Sequence, residues 1–355
     1  MTLLVTGGAG FIGSRFVLDW LACHQESVVN LDALAYAGNP MNLAALDGDP
    51  RHRFVHGSVN DGALVAALLA EHRPRAVLHF AAESHVDRSL AGPGAFVATN
   101  VDGTFALLEA VRAYWQRLSG PAKPAFRYLQ VSTDEVYGTL GPLDPAFTEA
   151  TPFAPNSPYA ASKAAADLLA RAWHRSYGLP VLITHCSNNY GPHQFPEKLI
   201  PLTIERALEG APLPVYGDGL QVRDWLYVDD HCEALRRVLA EGVPGRSYNI
   251  GGNAEHTNLD VVHRICALLD AQRPRADGVS YRAQIAFVAD RPGHDRRYAI
   301  DASRMATELG WVPGTAFDDG LARTVAWYLS RRDWVDAVKD GRYRDWVASQ
   351  YEARA

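Results

Sequence analysis

Short apolar runs alternate with longer stretches of helical spacing through the first half of the chain. Runs at residues 3–5, 28–31, 54–56, 76–80, 128–131 and 181–184 predict strands, and amphipathic stretches at 62–70, 96–118 and 160–177 predict helices between them. Alternation of this kind predicts an α/β fold, a parallel sheet wrapped by helices on both faces, and right-handed crossovers make it doubly wound. After Asn188 the texture changes. Pro192, Pro196, Pro201, Pro212 and Pro214 fall close together and the helical stretches shorten. The pattern predicts a larger domain at 1–189 and a smaller mixed α/β lobe at 190–355, with a return crossing to the sheet expected near 226–228 or 248–250. Beyond about residue 330, Trp334, Tyr343, Trp346 and Tyr351 read as a final packed helix.

Composition narrows the class. The 355 residues are 48% hydrophobic and 21% charged, which is globular composition. Thirty-four basic and 40 acidic side chains leave a formal charge of −6, which argues against a broad nucleic-acid-binding face but allows a local pocket for a small anion. No apolar run approaches the ~20 residues of a membrane helix, and the N-terminus reads as an apolar strand without a charged leader. Cys23, Cys186, Cys232 and Cys266 are scattered with no CxxC pair. They read as reduced thiols of a cytoplasmic protein, and no metal site is expected.

Thr6-Gly7-Gly8-Ala9-Gly10-Phe11-Ile12-Gly13 follows the first strand and opens a helix. Gly7 permits a tight turn, Gly10 lets the backbone approach a pyrophosphate, and Gly13 allows close helix–sheet packing. The helix N-terminus adds free N–H groups and a positive dipole end. Asp32 ends the second strand, where an acid accepts from an adenosine ribose diol and repels a 2′-phosphate. The reading is a Rossmann-type sheet that binds NAD rather than NADP. A plain structural turn, with Asp32 as a cap, is the alternative.

Tyr159-Ala-Ala-Ser-Lys163 sets a phenol and an ammonium one turn apart on one helix face. A neighbouring cation, from Lys163 and from an oxidised nicotinamide, favours the phenolate, so the phenol's pKa is expected to fall and the phenolate to take a proton from a sugar hydroxyl. Ser132-Thr133-Asp134-Glu135 stands at the end of the strand at 128–131. Thr133 offers a hydroxyl to bridge substrate and Tyr159. Two consecutive carboxylates there are either a solvated loop or an acid–base pair, with Asp134 protonated and Glu135 ionised if their surroundings push their pKa values apart.

These residues resemble the extended short-chain dehydrogenase/reductases, and among them the dTDP-glucose 4,6-dehydratases. The resemblance is carried by TGGAGFIGS (6–14), LDALAYAGN (31–39), HFAAESHVDRS (79–89), STDEVYG (132–138), SPYAASK (157–163), SNNYGPHQFPEKLIP (187–201), PVYGDGLQVRDWLYVDDH (214–231) and RPGHDRRYAID (291–301). TDEVYG is the specific one: sugar-nucleotide epimerases lack the paired acids, and UDP-glucuronate decarboxylases and GDP-mannose dehydratases carry serine where Asp134 stands. The resemblance implies one tightly held NAD. It also implies Tyr159 as the C4 base, Glu135 as the C5 base, Asp134 as the acid for the departing C6 hydroxyl, and Thr133 and Lys163 beside them.

It further implies NAD contacts from Phe11, Ile12, Asp32, Ala33, Leu34, Ser58 and Val59, then from Phe80, Ala81, Ala82, Ser84, Thr99 and Asn189. Substrate contacts would come from Ser84, Thr133, Asn188, Lys198, Leu199 and Pro214, and from Tyr216, Arg223, Asn258, Arg291 and His294. Arg223 has the fork geometry for a diphosphate, although alone it reads as an ion pair with Asp224, and His294 alone reads as a loop histidine. One departure stands out: His56-Gly57-Ser58 has serine where the family usually carries an acid that meets adenine. The family also suggests a homodimer through the helices at 96–118 and 160–177. Three readings remain: a dTDP-glucose 4,6-dehydratase serving deoxysugars such as rhamnose, another NAD-dependent sugar-nucleotide dehydratase or 4-epimerase, and a non-catalytic dinucleotide sensor.

Overall fold

A computed structural model describes residues 1–339. Tyr343, Trp346 and Tyr351 of the expected terminal helix lie outside the described residues, whereas Trp334 lies inside them. The first half runs β1 (Thr2–Thr6), α1 (Phe11–Cys23), β2 (Ser27–Asp32), β3 (His52–His56), α2 (Gly62–His72), β4 (Ala76–His79) and α3 (Val86–Ala91). It continues through α4 (Pro93–Phe96), α5 (Thr104–Arg117), α6 (Ala122–Ala125), β5 (Arg127–Thr133), α7 (Pro158–Tyr177) and β6 (Val181–Cys186). The strands lie in the order β3-β2-β1-β4-β5-β6, all parallel. Apart from the edge strand β3, where Phe54 is 37% exposed, their apolar residues are buried on both faces, which is why the runs read as continuous rather than alternating.

The amphipathic stretch at 96–118 is not one α-helix. Val97–Gly103 widens into a π-helix before α5 begins. Within it, the Asn100 side chain accepts from Glu83 N at 2.9 Å and donates to Ser162 Oγ at 2.8 Å. π-Turns inside helices concentrate at functional sites, and this one carries Thr99.

The second half contributes β7 (Asn188–Tyr190), α8 (Leu199–Leu208), β8 (Leu213–Tyr216), β9 (Val222–Tyr227), α9 (Val228–Glu241), β10 (Ser247–Ile250) and β11 (Glu255–Thr257). It closes with α10 (Asn258–Gln272), β12 (Ile285–Val288), α11 (Ser303–Leu309), α12 (Phe317–Ser330) and α13 (Arg332–Val338). Of the two expected return crossings, 248–250 enters the main sheet as β10 beside β6, whereas 226–228 ends β9 in a three-stranded sheet with β7 and β11. Parallel strands β8 and β12 form a separate pair.

Residues of α1, α9 and α11 share one apolar core on the sheet, and α2, α5 and α7 supply another. A third core, with Tyr190, Trp225, Ile265, Phe317 and Trp334, belongs to the second lobe. Trp334 is 1% exposed; its indole donates to Asn42 Oδ1 at 2.7 Å, and Asn42 Nδ2 donates to the Ala9 carbonyl at 2.9 Å. The glycine turn is therefore braced by the last described helix.

Candidate active site

Ligands in open parallel sheets bind beyond the carboxyl ends of the strands. Here those ends, Thr6, Asp32, His79 and Thr133, open on a cavity of about 320 Å³. Gly7, Gly10, Phe11, Ile12 and Gly13 form its floor, with Asp32 and Ala33 after β2 and Ser58 and Val59 after β3. Phe80, Ala81, Ala82 and Ser84 follow β4, and Thr99 enters from the π-turn. Thr133, Asp134, Glu135, Tyr159, Lys163, Asn188, Asn189 and Lys198 close the far end.

The glycines are required by space. Gly7 has φ +73°, and a Cβ there would stand 2.5 Å from Ala81 N; one at Gly13 would overlap the Gly7 carbonyl. At Gly10 a Cβ would meet only the Gly7 carbonyl, at 3.3 Å, so the cavity face of the turn stays bare. Asp32 pins this turn, accepting from Ala9 N and Leu34 N at 2.8 Å each. Burial pushes its pKa up and these two N–H donors pull it back. Leu34 is not in the cavity wall; its backbone, at φ 49°, turns its N–H onto Asp32.

Thr133 caps the 3-10 turn Asp134–Tyr137, accepting from Glu135 N at 3.3 Å and donating to Asp134 Oδ1 at 3.4 Å. Asp134 is 1% exposed, and its Oδ2 has no hydrogen-bond partner among the described residues. The solvated-loop reading therefore fails. Burial, then the charges of Glu135 and Asp224, push Asp134 well above the usual carboxylate range. Glu135 also rises through burial, but Arg291, Lys198 and Arg223 hold it back. The pair is asymmetric: a protonated Asp134 is favoured beside a Glu135 that cations help to ionise.

Tyr159 departs from the sequence expectation. Burial, then Glu135 and Cys186, push its phenol well above its ordinary value, while the Thr133 hydroxyl lowers it. The expected drop through Lys163 is absent because a buried phenol beside a carboxylate resists ionisation, and the Lys163 ammonium donates to the Val131 carbonyl at 2.8 Å. Burial also pushes Lys163 down, opposed by Asp167. Asp167 was missed in the sequence. It lies one turn beyond Lys163, is 1% exposed, and accepts from Ser132 Oγ at 2.6 Å. The i, i+4, i+8 series Tyr159, Lys163, Asp167 was the available signal. Tyr36, Gln194, Phe195 and Glu197 also line the cavity without having been read.

Leu199, Pro214, Tyr216, Arg223, Asn258, Arg291 and His294 stand outside this cavity wall. Leu199 and Asn258 begin α8 and α10, and Pro214 and Tyr216 lie on β8. Arg223, on β9, is no surface ion pair: it is 5% exposed, donates to the Asp295 carbonyl at 2.9 Å and covers the Tyr298 ring at 4.3 Å. Its neighbour Asp224 instead accepts from Gly252 N and Ala254 N. Arg223 and Arg291 nonetheless bear on Glu135, so the basic lobe and the dyad adjoin. His294 pairs with Asp290 at 2.6 Å and is pushed down to about 4 by burial and Arg291. No group of three metal-ligating side chains occurs among the described residues.

A family model described as GDP-mannose 4,6 dehydratase matches residues 4–324. A dTDP-glucose 4,6-dehydratase of Xanthomonas campestris pv. campestris is 65% identical over 343 residues, covering 97% of each chain. The crystal structure of DesIV, a dTDP-glucose 4,6-dehydratase from Streptomyces venezuelae solved with NAD bound, superposes with a TM-score of 0.86 at 49% identity, covering 96% of this chain and all of that one. The UDP-glucose 4-epimerase of Thermus thermophilus, also with NAD, is similar at lower identity, 31%, with a TM-score of 0.81 over 93% of this chain and 100% of that one. The chain thus belongs to the GDP-mannose 4,6-dehydratase family and, within it, to the dTDP-glucose 4,6-dehydratases.

Proposed function

We propose that this chain converts dTDP-glucose to dTDP-4-keto-6-deoxyglucose, a hydro-lyase reaction with NAD held at the glycine turn. The carrying observation is the buried, adjacent and unequal pair Asp134 and Glu135 in the same cavity as Tyr159. The bare face at Gly10, the α1 N-terminus and Asp32 fit a dinucleotide. The chemistry NAD supplies when bound is removal of hydride from C4 and its return at C6.

The protein's own part is proton handling. Tyr159 takes the proton of the 4-hydroxyl as its phenolate, a form that burial opposes and that the Thr133 hydroxyl, Lys163 and the positive charge of an oxidised nicotinamide would favour. The resulting ketone acidifies C5, where Glu135 takes the proton while Asp134 gives one to the departing C6 hydroxyl, and water leaves; as C6 is reduced, Glu135 returns its proton to C5. Elimination needs a base and an acid at neighbouring carbons, and a fixed dyad supplies both at high effective concentration. Arg223, Arg291, Lys198, Asn188, Leu199, Pro214, Tyr216, Asn258 and His294 hold the nucleotide and sugar. A 4-epimerase has no use for the dyad. The test is turnover of dTDP-glucose deuterated at C4, with no added reductant: label in the new methyl group supports the reading. Label lost to solvent, or dTDP-galactose without loss of water, defeats it.

Ser58 bears on how firmly NAD stays. Its hydroxyl is turned toward Asn60 Oδ1 at 3.1 Å and accepts from Asn60 N at 3.2 Å. Replacing Ser58 by Asp offers adenine a charge-assisted partner and is expected to slow NAD release by about tenfold. Dilution followed by an enzymatic cycling assay of the released NAD reads this; an unchanged rate counts against the adenine assignment.

Residues 1–189 carry the cofactor in this reading and 190–355 mainly the substrate, with 247–250 completing the cofactor sheet. The partner is a second copy of the chain. Phe105 on α5 and Leu168 and Tyr177 on α7 stand 49%, 52% and 46% exposed, apolar side chains that a dimer through these helices would bury. Leu168→Glu is expected to yield monomers in analytical ultracentrifugation; an unchanged mass removes this face from the interface. The cytoplasm is the proposed compartment, since all four cysteines are free and no described helix is long and apolar enough to cross a membrane.

A further inference from the structure

Asp87, near the start of α3, spans two side chains of the substrate lobe. Its Oδ1 accepts from Arg291 Nη1 at 3.3 Å and its Oδ2 from the Tyr216 hydroxyl at 3.1 Å. The carboxylate is 4% exposed and the arginine side chain 14%. Arg291 follows β12 and Tyr216 ends β8, so neither shares a secondary-structure element with Asp87 or with the other. The contact is also the point where the cofactor domain grips the basic patch. Next to Asp87, Arg88 pairs with Glu197 at 2.8 Å, and Lys198 donates to the Ser84 carbonyl at 2.7 Å.

A guanidinium buried this far needs a counter-charge, and losing one partner of such a pair is costly. Asp87 supplies that charge to Arg291 and leaves Arg291 Nε without a hydrogen-bond partner among the described residues. A buried donor in that state has bonding capacity left for an anion. The same carboxylate fixes the Tyr216 ring through its hydroxyl. One acid therefore sets a cation and an aromatic face in a common frame before any ligand arrives, which lowers the ordering cost of binding.

We propose that Asp87 is the positioning residue of the nucleotide-binding end of the site, holding Arg291 and Tyr216 in the arrangement that a nucleoside diphosphate requires. This rests on the reading of Arg291 and Tyr216 as substrate-binding residues. Asp87 need not touch the reacting carbons, so its effect falls on affinity and not on the chemical step.

The experiment is calorimetric titration of NAD-loaded protein with dTDP, together with kcat and KM for dTDP-glucose, in wild type, Asp87→Asn, Asp87→Glu, Tyr216→Phe and the Asp87→Asn/Tyr216→Phe double variant. Asp87→Asn is expected to weaken dTDP binding and raise KM by about 10- to 30-fold, with kcat kept within about threefold. Asp87→Glu recovers part of the affinity. The double variant loses less than the product of the single losses, because the two residues share one bond. Unchanged dTDP affinity in Asp87→Asn, strictly multiplicative losses, or a fall in kcat at constant affinity each overturns the proposal. Should Asp87→Asn lose its fold, Asp87→Glu and Tyr216→Phe with their double variant give the same cycle. A wild type that binds no dTDP defeats the underlying reading of the site instead, so the two failures are distinct.

Discussion

Glu135→Gln is expected to lower formation of the 4-keto-6-deoxy sugar by roughly 10³-fold, the scale of a lost general base, while C4 oxidation continues. Glutamine preserves the size of the side chain and removes only its capacity to take the C5 proton. Arg291, Lys198 and Arg223 face this carboxylate and favour its charge, against burial and Asp295. Burial is the largest influence, so Glu135 titrates above the usual carboxylate range. The base must be ionised, so wild-type dehydration falls as pH drops through that raised value. The variant loses this acid limb along with the rate. Rapid quench and mass spectrometry would show the 4-keto sugar with its C6 oxygen retained. Equal loss of oxidation and dehydration would remove Glu135 from the elimination step.

Tyr159→Phe is expected to act one step earlier, with a loss of about 10³- to 10⁴-fold that appears in C4 oxidation itself. The ring packs edge-on against Phe96, with centroids 6.2 Å apart, and phenylalanine keeps that packing. What disappears is the hydroxyl beside Thr133. Affinity for dTDP should stay within about twofold, since no nucleotide contact is removed. Oxidation at an undiminished rate would reassign the C4 base, with Thr133 or a water as successor.

The parallel sheet was legible because strands buried on both faces carry unbroken apolar runs, as at 76–78 and 181–183. Gly7 and Gly13 were legible because local geometry forbids a Cβ there. The widened turn at Val97–Gly103 was not, since its sequence keeps helical spacing and the contacts it makes, Asn100 with Glu83 and Ser162, come from other elements. The phenol of Tyr159 shows the same limit: one-turn spacing put a lysine near it, but the fold turned that lysine to a carbonyl and brought Glu135 closer in effect. Asp87 was quoted only as part of a motif. Its partners lie 129 and 204 positions away, and no local pattern announces such a contact.

The brace from Trp334 through Asn42 to Ala9 has a temporal consequence. Synthesis proceeds from the N-terminus, so the nascent polypeptide owns its glycine turn hundreds of peptide bonds before the indole that steadies it leaves the ribosome. Cofactor grip should mature only when translation is nearly finished, and a message cut short ahead of Trp334 would leave a sheet with its dinucleotide cradle unfastened.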